Sequence, residues 1–289
     1  MNAQASLDKG LERSLTVALG DRRYRVERPF FANEGPGAVS DVAICADGTT
    51  LALIRTDPLV GPVGPAVFEL NADGGIQASW GDDLILDAHM VAAAPDGRVF
   101  VVDRDAHEIV ICKDRRRVGG IGTRHGPLQP FNHPTSVAFA PDGDIYVSDG
   151  YANHRVHRFA PDGRLIGSWG EAGDGPGAFM NPHSVWVRTD GNVVVVDREN
   201  DRLQLFTPDG ELLDIWTGFV KPLDVWGDAE DNLYVTDFIP SLTMLSADGV
   251  RIGRCRPVLN GAHGITGDAE GNLFLAEPSP SRISKLARL

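Results

Sequence analysis

Three of the eight histidines in this 289-residue chain occupy equivalent places. His89, His183 and His263 each stand two residues before a Val or Ile that opens a strand-like run ending in Asp or Glu. Imidazole suits zinc, copper, iron and nickel, so zinc is the expected ion and another transition metal the alternative. Three neutral imidazoles around one point leave a coordination position open for water or substrate. The competing reading is three hydrogen-bonded histidines with no metal. Recurrence in one slot favours the metal, because independent structural roles have no reason to choose it together. His107, His125, His133, His154 and His157 fall off the slot and read as surface or turn residues.

The slot exists because the chain repeats. VAAAPDGRVFVVD from Val91 is echoed from Val137, Val185, Val225 and Ile265, with a worn copy from Val42. The turn residues Gly48, Gly97, Gly143, Gly191, Asp231 and Gly271 follow one another at intervals of 40 to 49 residues. Strand-like units at such a period are the signature of propeller blades. Asp-Gly between apolar runs marks a hairpin, and a second turn such as Pro161-Asp-Gly163 leads to a fourth strand. Four antiparallel strands make a blade. The spacing therefore predicts an all-β, six-bladed β-propeller. Its slots hold Ser40, His89, Thr135, His183, Leu223 and His263, with histidine in alternate blades. The first strand of a blade lines the central channel, so the three side chains should converge on the axis, about 120° apart.

The last unit runs out at Arg282 to Leu286, one strand short. Arg22 to Glu27 alternates in strand fashion and is expected to supply the missing outer strand and close the ring. Residues 1–20 are expected to be a tail or short surface element, and 21–289 a single domain. The net charge of −13 argues against nucleic acid as a partner. No stretch is apolar enough for a membrane span or signal peptide, so a cytoplasmic location is expected. Cys45, Cys112 and Cys255 are odd in number and far apart, which excludes a disulfide framework and a thiolate zinc site. Arg55, Arg104 and Arg198 stand where the second strands of blades one, two and four end, beside Tyr151 of blade three. If those ends share a mouth with the histidines, they form an anion-attracting ring on an otherwise acidic protein.

Ser148 to Val156 (SDGYANHRV), and Gly175 to Pro182 with its Gly-x-Gly-x-Phe, resemble NHL repeats. More narrowly, Ser148 to Asn153, Pro182-His-Ser184 and Asp197 to Arg202 resemble the lyase domain of peptidylglycine α-amidating enzymes. The resemblance covers roughly residues 35 to 289 and is densest over 130–206. It implies a six-bladed propeller whose zinc is held by His89, His183 and His263. It also implies a lyase that splits a peptidyl-α-hydroxyglycine into a peptide amide and glyoxylate, with Tyr151 as base and Arg198 and Arg55 at the site. The chemistry is intelligible: a carbinolamide collapses when its hydroxyl proton leaves and its nitrogen is protonated. A metal polarises that hydroxyl as a Lewis acid. A tyrosine, ordinarily titrating near pH 10, serves as base near neutrality only beside cations. An arginine such as Arg104 could bind the substrate carboxylate. Tyr151 has a plainer reading as an inter-blade packing residue, and Arg198 and Arg202 as partners of Asp197, Glu199 or Asp201.

The sequence departs from that family at two places near the third histidine. Gly261 stands where the family has methionine, and Gly264 where it has the aspartate of a structural calcium. Two main-chain carbonyls of that calcium site would fall on Val42 and Val91. Without the carboxylate, calcium is not expected unless Asp41 or Asp224 replaces it. The family's disulfides are absent too, Ala152 standing in place of a half-cystine. The sequence-based expectation is a zinc-dependent lyase acting on a carbinolamide-type small molecule or peptide that bears a carboxylate. The alternatives are a metal-dependent hydrolase or hydratase on a small anionic substrate at the same site, and a non-catalytic NHL propeller used as a binding platform.

Overall fold

The computed structural model describes residues 15–57, 59 and 64–289, and among these the chain is nearly all β, with one 3-10 turn at Arg198–Asn200. Six antiparallel sheets form six blades; five run outward from an axial strand in sequence order, and the last takes its outer strands from the beginning of the chain. The axial strands are Ala38–Ile44, Ala88–Ala93, Ser136–Phe139, Pro182–Val187, Pro222–Gly227 and Gly264–Gly267. The second strands are Thr50–Arg55, Val99–Asp103, Ile145–Asp149, Val193–Asp197, Leu233–Asp237 and Leu273–Glu277. Between first and second strand the turn glycine takes a positive φ, 82° at Gly97 and 85° at Gly191, which glycine adopts without a Cβ penalty. In blade five Asp231 takes that conformation instead, at φ 58°.

Ring closure follows the sequence-based expectation. Arg22–Ala32 pairs antiparallel with Arg282–Arg288, so the last blade is completed by the beginning of the chain. A further strand, Thr16–Leu19, pairs on the outside of Arg22–Ala32 and makes this blade five-stranded. Of the expected N-terminal tail, residues 1–14 lie outside the described residues. Cys45, Cys112 and Cys255 are free thiols.

The hydrophobic core lies in the seams between blades. Leu51, Leu53 and Val67 of blade one meet Val91, Val101 and Val110 of blade two. Val194, Val196 and Leu203 of blade four meet Val225, Leu233 and Val235 of blade five. The second strands are therefore covered on both faces, which explains their nearly continuous apolar runs.

Each second strand after the first ends in a buried acid: Asp103, Asp149, Asp197, Asp237 or Glu277. An acid so placed fixes the segment leading into its own blade. Asp103 accepts from the amides of Leu86 and Asp87, Asp149 from that of Asn132, and Asp197 from that of Met180. Guanidiniums neutralise most of the set: Arg124 on Asp103, Arg202 on Asp197, Arg254 on Asp237 and Arg282 on Glu277. A buried carboxylate needs that partner, because desolvation alone would neutralise it. Arg202 thus takes the structural role allowed for it in the sequence, completed by bonds to the carbonyls of Asp174, Gly175 and Ala178.

A candidate metal centre on the propeller axis

The slot residues stand where the axial strands are irregular. The ladder shifts register between Val39 and Asp41, Ala88 and Val91, Pro182 and Ser184, and Pro222 and Asp224. Ser40, His89, His183 and Leu223 fall within those bulges, which re-aim a side chain out of the normal alternation. Thr135 and His263 precede the regular part of their strands and bond through their amides to the carbonyls of Ser148 and Ala276.

The three imidazoles converge as the slot pattern predicts. Ring centroids lie 5.1 Å apart for His89 and His183, and 5.0 Å apart for each of the other two pairs. The slots between them complete the arrangement. His89 Nδ1 lies 2.7 Å from the carbonyl oxygen of Thr135, His183 Nδ1 2.6 Å from that of Leu223, and His263 Nδ1 2.7 Å from that of Ser40. A carbonyl only accepts, so each Nδ1 carries the proton and each Nε2 presents a lone pair. Six slots therefore alternate between an imidazole and the carbonyl that orients the preceding one.

The rings stay neutral. Burial pushes the His263 imidazole down to about 4, with the charges of Arg55 and Arg198 acting in the same direction. Burial, followed by the neighbouring imidazoles, holds His89 well below the ordinary histidine range, and burial with His263 and Arg198 does the same to His183. Ligand nitrogens of the three lie within 4.8 Å of one another. Neutral rings, one fixed tautomer and convergent lone pairs are what a transition-metal ion requires of a three-histidine site, so the residues fit one.

Tyr151 stands over the opening of this triad. Its hydroxyl lies 3.0 Å from His89 Nε2 and 3.3 Å from His183 Nε2. Arg104 and Arg198 flank its ring, with guanidinium carbons 5.2 Å and 5.5 Å from the centroid. Asp149 at the end of its strand and the Tyr151 amide bond to the carbonyl of His133 hold the turn that presents it. Arg55, Tyr151, Arg198 and His263 line one cavity of about 570 Å³. The strand ends and the histidines do share a mouth.

The mouth is less cationic than the sequence pattern suggests. Arg55 grips buried Asp87 with Nε and Nη2, at 2.6 Å and 3.1 Å, and Arg104 Nε lies 2.8 Å from both Asp87 and Asp105. Arg198 pairs with Glu199 at 2.9 Å, which also holds Lys221 at 2.8 Å. The plainer reading of Arg198, a partner for Glu199, thus coexists with its place against Tyr151. Sequence reasoning passes over Asp87. The signal that could find it is its place two residues before a slot histidine, facing two of the expected arginines.

Of the five remaining histidines, four sit at left-handed turn positions: His107, His125, His133 and His154 have φ between 56° and 65°. His157 corrects the expectation. It lies within the strand Arg155–Phe159, is buried, and bonds Ser168 at 2.7 Å and Asp149 at 3.3 Å. Blade three thus uses an imidazole where other blades set a guanidinium against the terminal acid.

Comparison with known proteins agrees with the propeller fold. An NHL repeat model matches residues 131–159. The chain is 31% identical over 205 residues to the peptidyl-glycine alpha-amidating monooxygenase of Mus musculus, covering 60% of this chain and 21% of that protein. It is 28% identical over 241 residues to a probable peptidyl-alpha-hydroxyglycine alpha-amidating lyase of Caenorhabditis elegans, covering 73% of this chain and 66% of that one. The chain therefore spans about a fifth of the length of the mouse monooxygenase. A solved gluconolactonase structure from Xanthomonas campestris superimposes with a TM-score of 0.71 at 18% identity, over 94% of this chain and 91% of that one, which speaks for the fold alone. The chain is a six-bladed propeller with one matched NHL repeat, and it resembles the amidating lyases.

Proposed function

We propose that this propeller is a metal-dependent lyase that cleaves the N–C bond of an N-acyl-α-hydroxyglycine or a similar carbinolamide with a carboxylate, zinc being the expected ion. The observation that carries the reading is Tyr151, whose hydroxyl lies within 3.3 Å of two of three convergent imidazole nitrogens. A Lewis-acidic ion held by His89, His183 and His263 would polarise the carbinol hydroxyl. Tyr151, its ring held between Arg104 and Arg198, then takes the hydroxyl proton. The C–N bond breaks as the carbonyl forms, and the departing nitrogen takes up a proton. The products are the amide and glyoxylate, so atoms and electrons balance without an oxidant. Arg55 and Arg198, held by Asp87 and Glu199, orient the carboxylate. The curated relatives named as amidating lyases support the same chemistry.

The test is glyoxylate release from a simple N-acyl-α-hydroxyglycine by the metal-loaded chain. Tyr151→Phe should lower kcat by about 10²- to 10⁴-fold, the usual worth of a general base, while the metal stays bound. His183→Ala should remove both metal and activity. No turnover at full metal occupancy would refute the lyase. Turnover that needs the metal but ignores Tyr151 would point instead to hydrolysis or hydration.

A further inference from the structure

The residues that rim the mouth divide it into two chemically different halves. One from each blade reaches it at the end of the second strand: Arg55, Arg104, Tyr151, Arg198, Phe238 and Pro278, in blade order. Blades one to four present guanidiniums and a phenol. Blades five and six present an aromatic ring and a pyrrolidine.

Phe238 is 66% exposed, which is unusual for a phenylalanine on a well-ordered frame. Its backbone is nevertheless tied down. Its amide donates to the carbonyls of Val220 and Lys221 at 3.2 Å and 3.1 Å, and the preceding Asp237 is fully buried. The ring is thus offered to solvent by a fixed main chain. With Leu223, Pro240 and Pro278 it forms the apolar wall of the same cavity that holds Tyr151 and His263. Gly261 lines the same cavity, packed directly on that backbone: a Cβ there would meet the carbonyl oxygens of Phe238 and Asp237 at 2.6 Å and 2.7 Å. About 570 Å³ is the size of a small-molecule site, not of an extended peptide groove.

We infer that the Phe238 wall is an acyl subsite, and that the substrate carries an aromatic or branched aliphatic acyl group on its nitrogen. The inference rests on the lyase reading for the orientation of the substrate. In an N-acyl-α-hydroxyglycine the carboxylate and the nitrogen that carries the acyl group are separate substituents of the tetrahedral carbinol carbon, so the two groups diverge from it. Placing that carbon at Tyr151 and His263 sends the carboxylate toward the arginines of blades one and four and the acyl group onto blades five and six. Phe238 is then a specificity-determining residue, touching substrate remote from the reacting bond.

Two stable carboxylates test this without depending on turnover. N-benzoylglycine and N-acetylglycine are titrated calorimetrically into the metal-loaded full-length chain. Burying a phenyl group should make N-benzoylglycine bind roughly 10- to 100-fold more tightly. Phe238→Ser, a change at an exposed position, should cut that ratio at least about threefold by removing the ring and its face-on contact. A ratio under about twofold in the unaltered chain, no detectable binding of N-benzoylglycine, or an unchanged ratio in Phe238→Ser would each overturn the subsite. The corresponding α-hydroxy compounds separate the two ideas. Tight binding of N-benzoylglycine with no cleavage of N-benzoyl-α-hydroxyglycine would refute the lyase and leave the subsite standing.

Discussion

Replacing Gly264 with alanine should be among the most damaging single-methyl additions in this propeller. The Cβ would lie 1.9 Å from Oδ1, 2.9 Å from Cγ and 3.0 Å from Cα of Asp41. Asp41 cannot simply step aside: it is buried, and its Oδ2 accepts the amide of Val91 at 2.8 Å, joining blade one to blade two. The φ of Gly264 is not in the left-handed region, so the whole cost is steric. Overpacking of this kind costs about 1–3 kcal/mol. Turning Asp41 away leaves the Val91 amide unsatisfied, about 1–3 kcal/mol more. The sum is roughly 2–6 kcal/mol, or about 4–12 °C in Tm at roughly 2 °C per kcal/mol for a chain of this size. The assay is thermal and urea unfolding of Gly264→Ala, Asp41→Ala and the double variant. Because both changes concern one volume, the double variant should be more stable than the sum of the singles predicts by at least about 1.5 kcal/mol. A Gly264→Ala cost below about 1 kcal/mol, or additivity within about 0.5 kcal/mol, would refute the reasoning.

Other outcomes follow from the same channel and mouth. Burial raises the Asp224 carboxyl to about 6, and burial with the charge of Asp224 raises Asp41 well above the carboxylate range. Both raised groups bind protons more readily folded than unfolded, so each contributes stability at low pH that is lost on ionisation; for Asp224 it is present below about pH 4 and lost as pH rises through about 6. From 3.8 to about 6, Asp224 alone accounts for about 3 kcal/mol of that loss; Asp224→Asn should flatten the urea-stability profile between pH 4 and 8, and an unchanged slope would count against it. The histidines act in the opposite sense without metal. Their lowered values mean that apo-protein stability should fall as pH drops below 6.5 toward 4, and His263→Gln should reduce that fall. Asp87→Asn removes the carboxylate that positions Arg55 and Arg104; kcat/KM should drop about tenfold while metal content stays constant, and an unaltered kcat/KM would show that neither arginine needs that placement.

Much of this site is legible in the sequence because a propeller converts a linear period into a radial position. Val91, Val185 and Ile265 mark the same strand register, so His89, His183 and His263 had to meet wherever the blades closed. Arg22–Ala32 is recognisable for the same reason: a ring with a three-stranded last blade leaves one edge to cover. What the period does not encode is which carbonyl each imidazole meets. The bonds to Thr135, Leu223 and Ser40 run between blades and depend on bulges, which shift register without leaving a residue signature. Charge compensation is similarly hidden. The arginines stand out by position, but Asp87, Asp105 and Glu199 neutralise them from neighbouring turns. His157 escapes a sequence reading because Arg155 to Phe159 looks polar, whereas its imidazole turns inward to Asp149 and Ser168.

Everything proposed for the mouth depends on His89, His183 and His263 forming one metal centre. X-ray absorption at the metal edge, on protein purified without added chelator and quantified for metal, addresses that most directly. The expected result is one transition-metal ion per chain, zinc foremost, with three imidazole nitrogens at about 2.0–2.1 Å and at least one oxygen ligand. His183→Ala should lose that ion. Metal-free protein that also fails to take up zinc on reconstitution, or a stoichiometric ion with a different ligand set, would contradict the three-histidine centre.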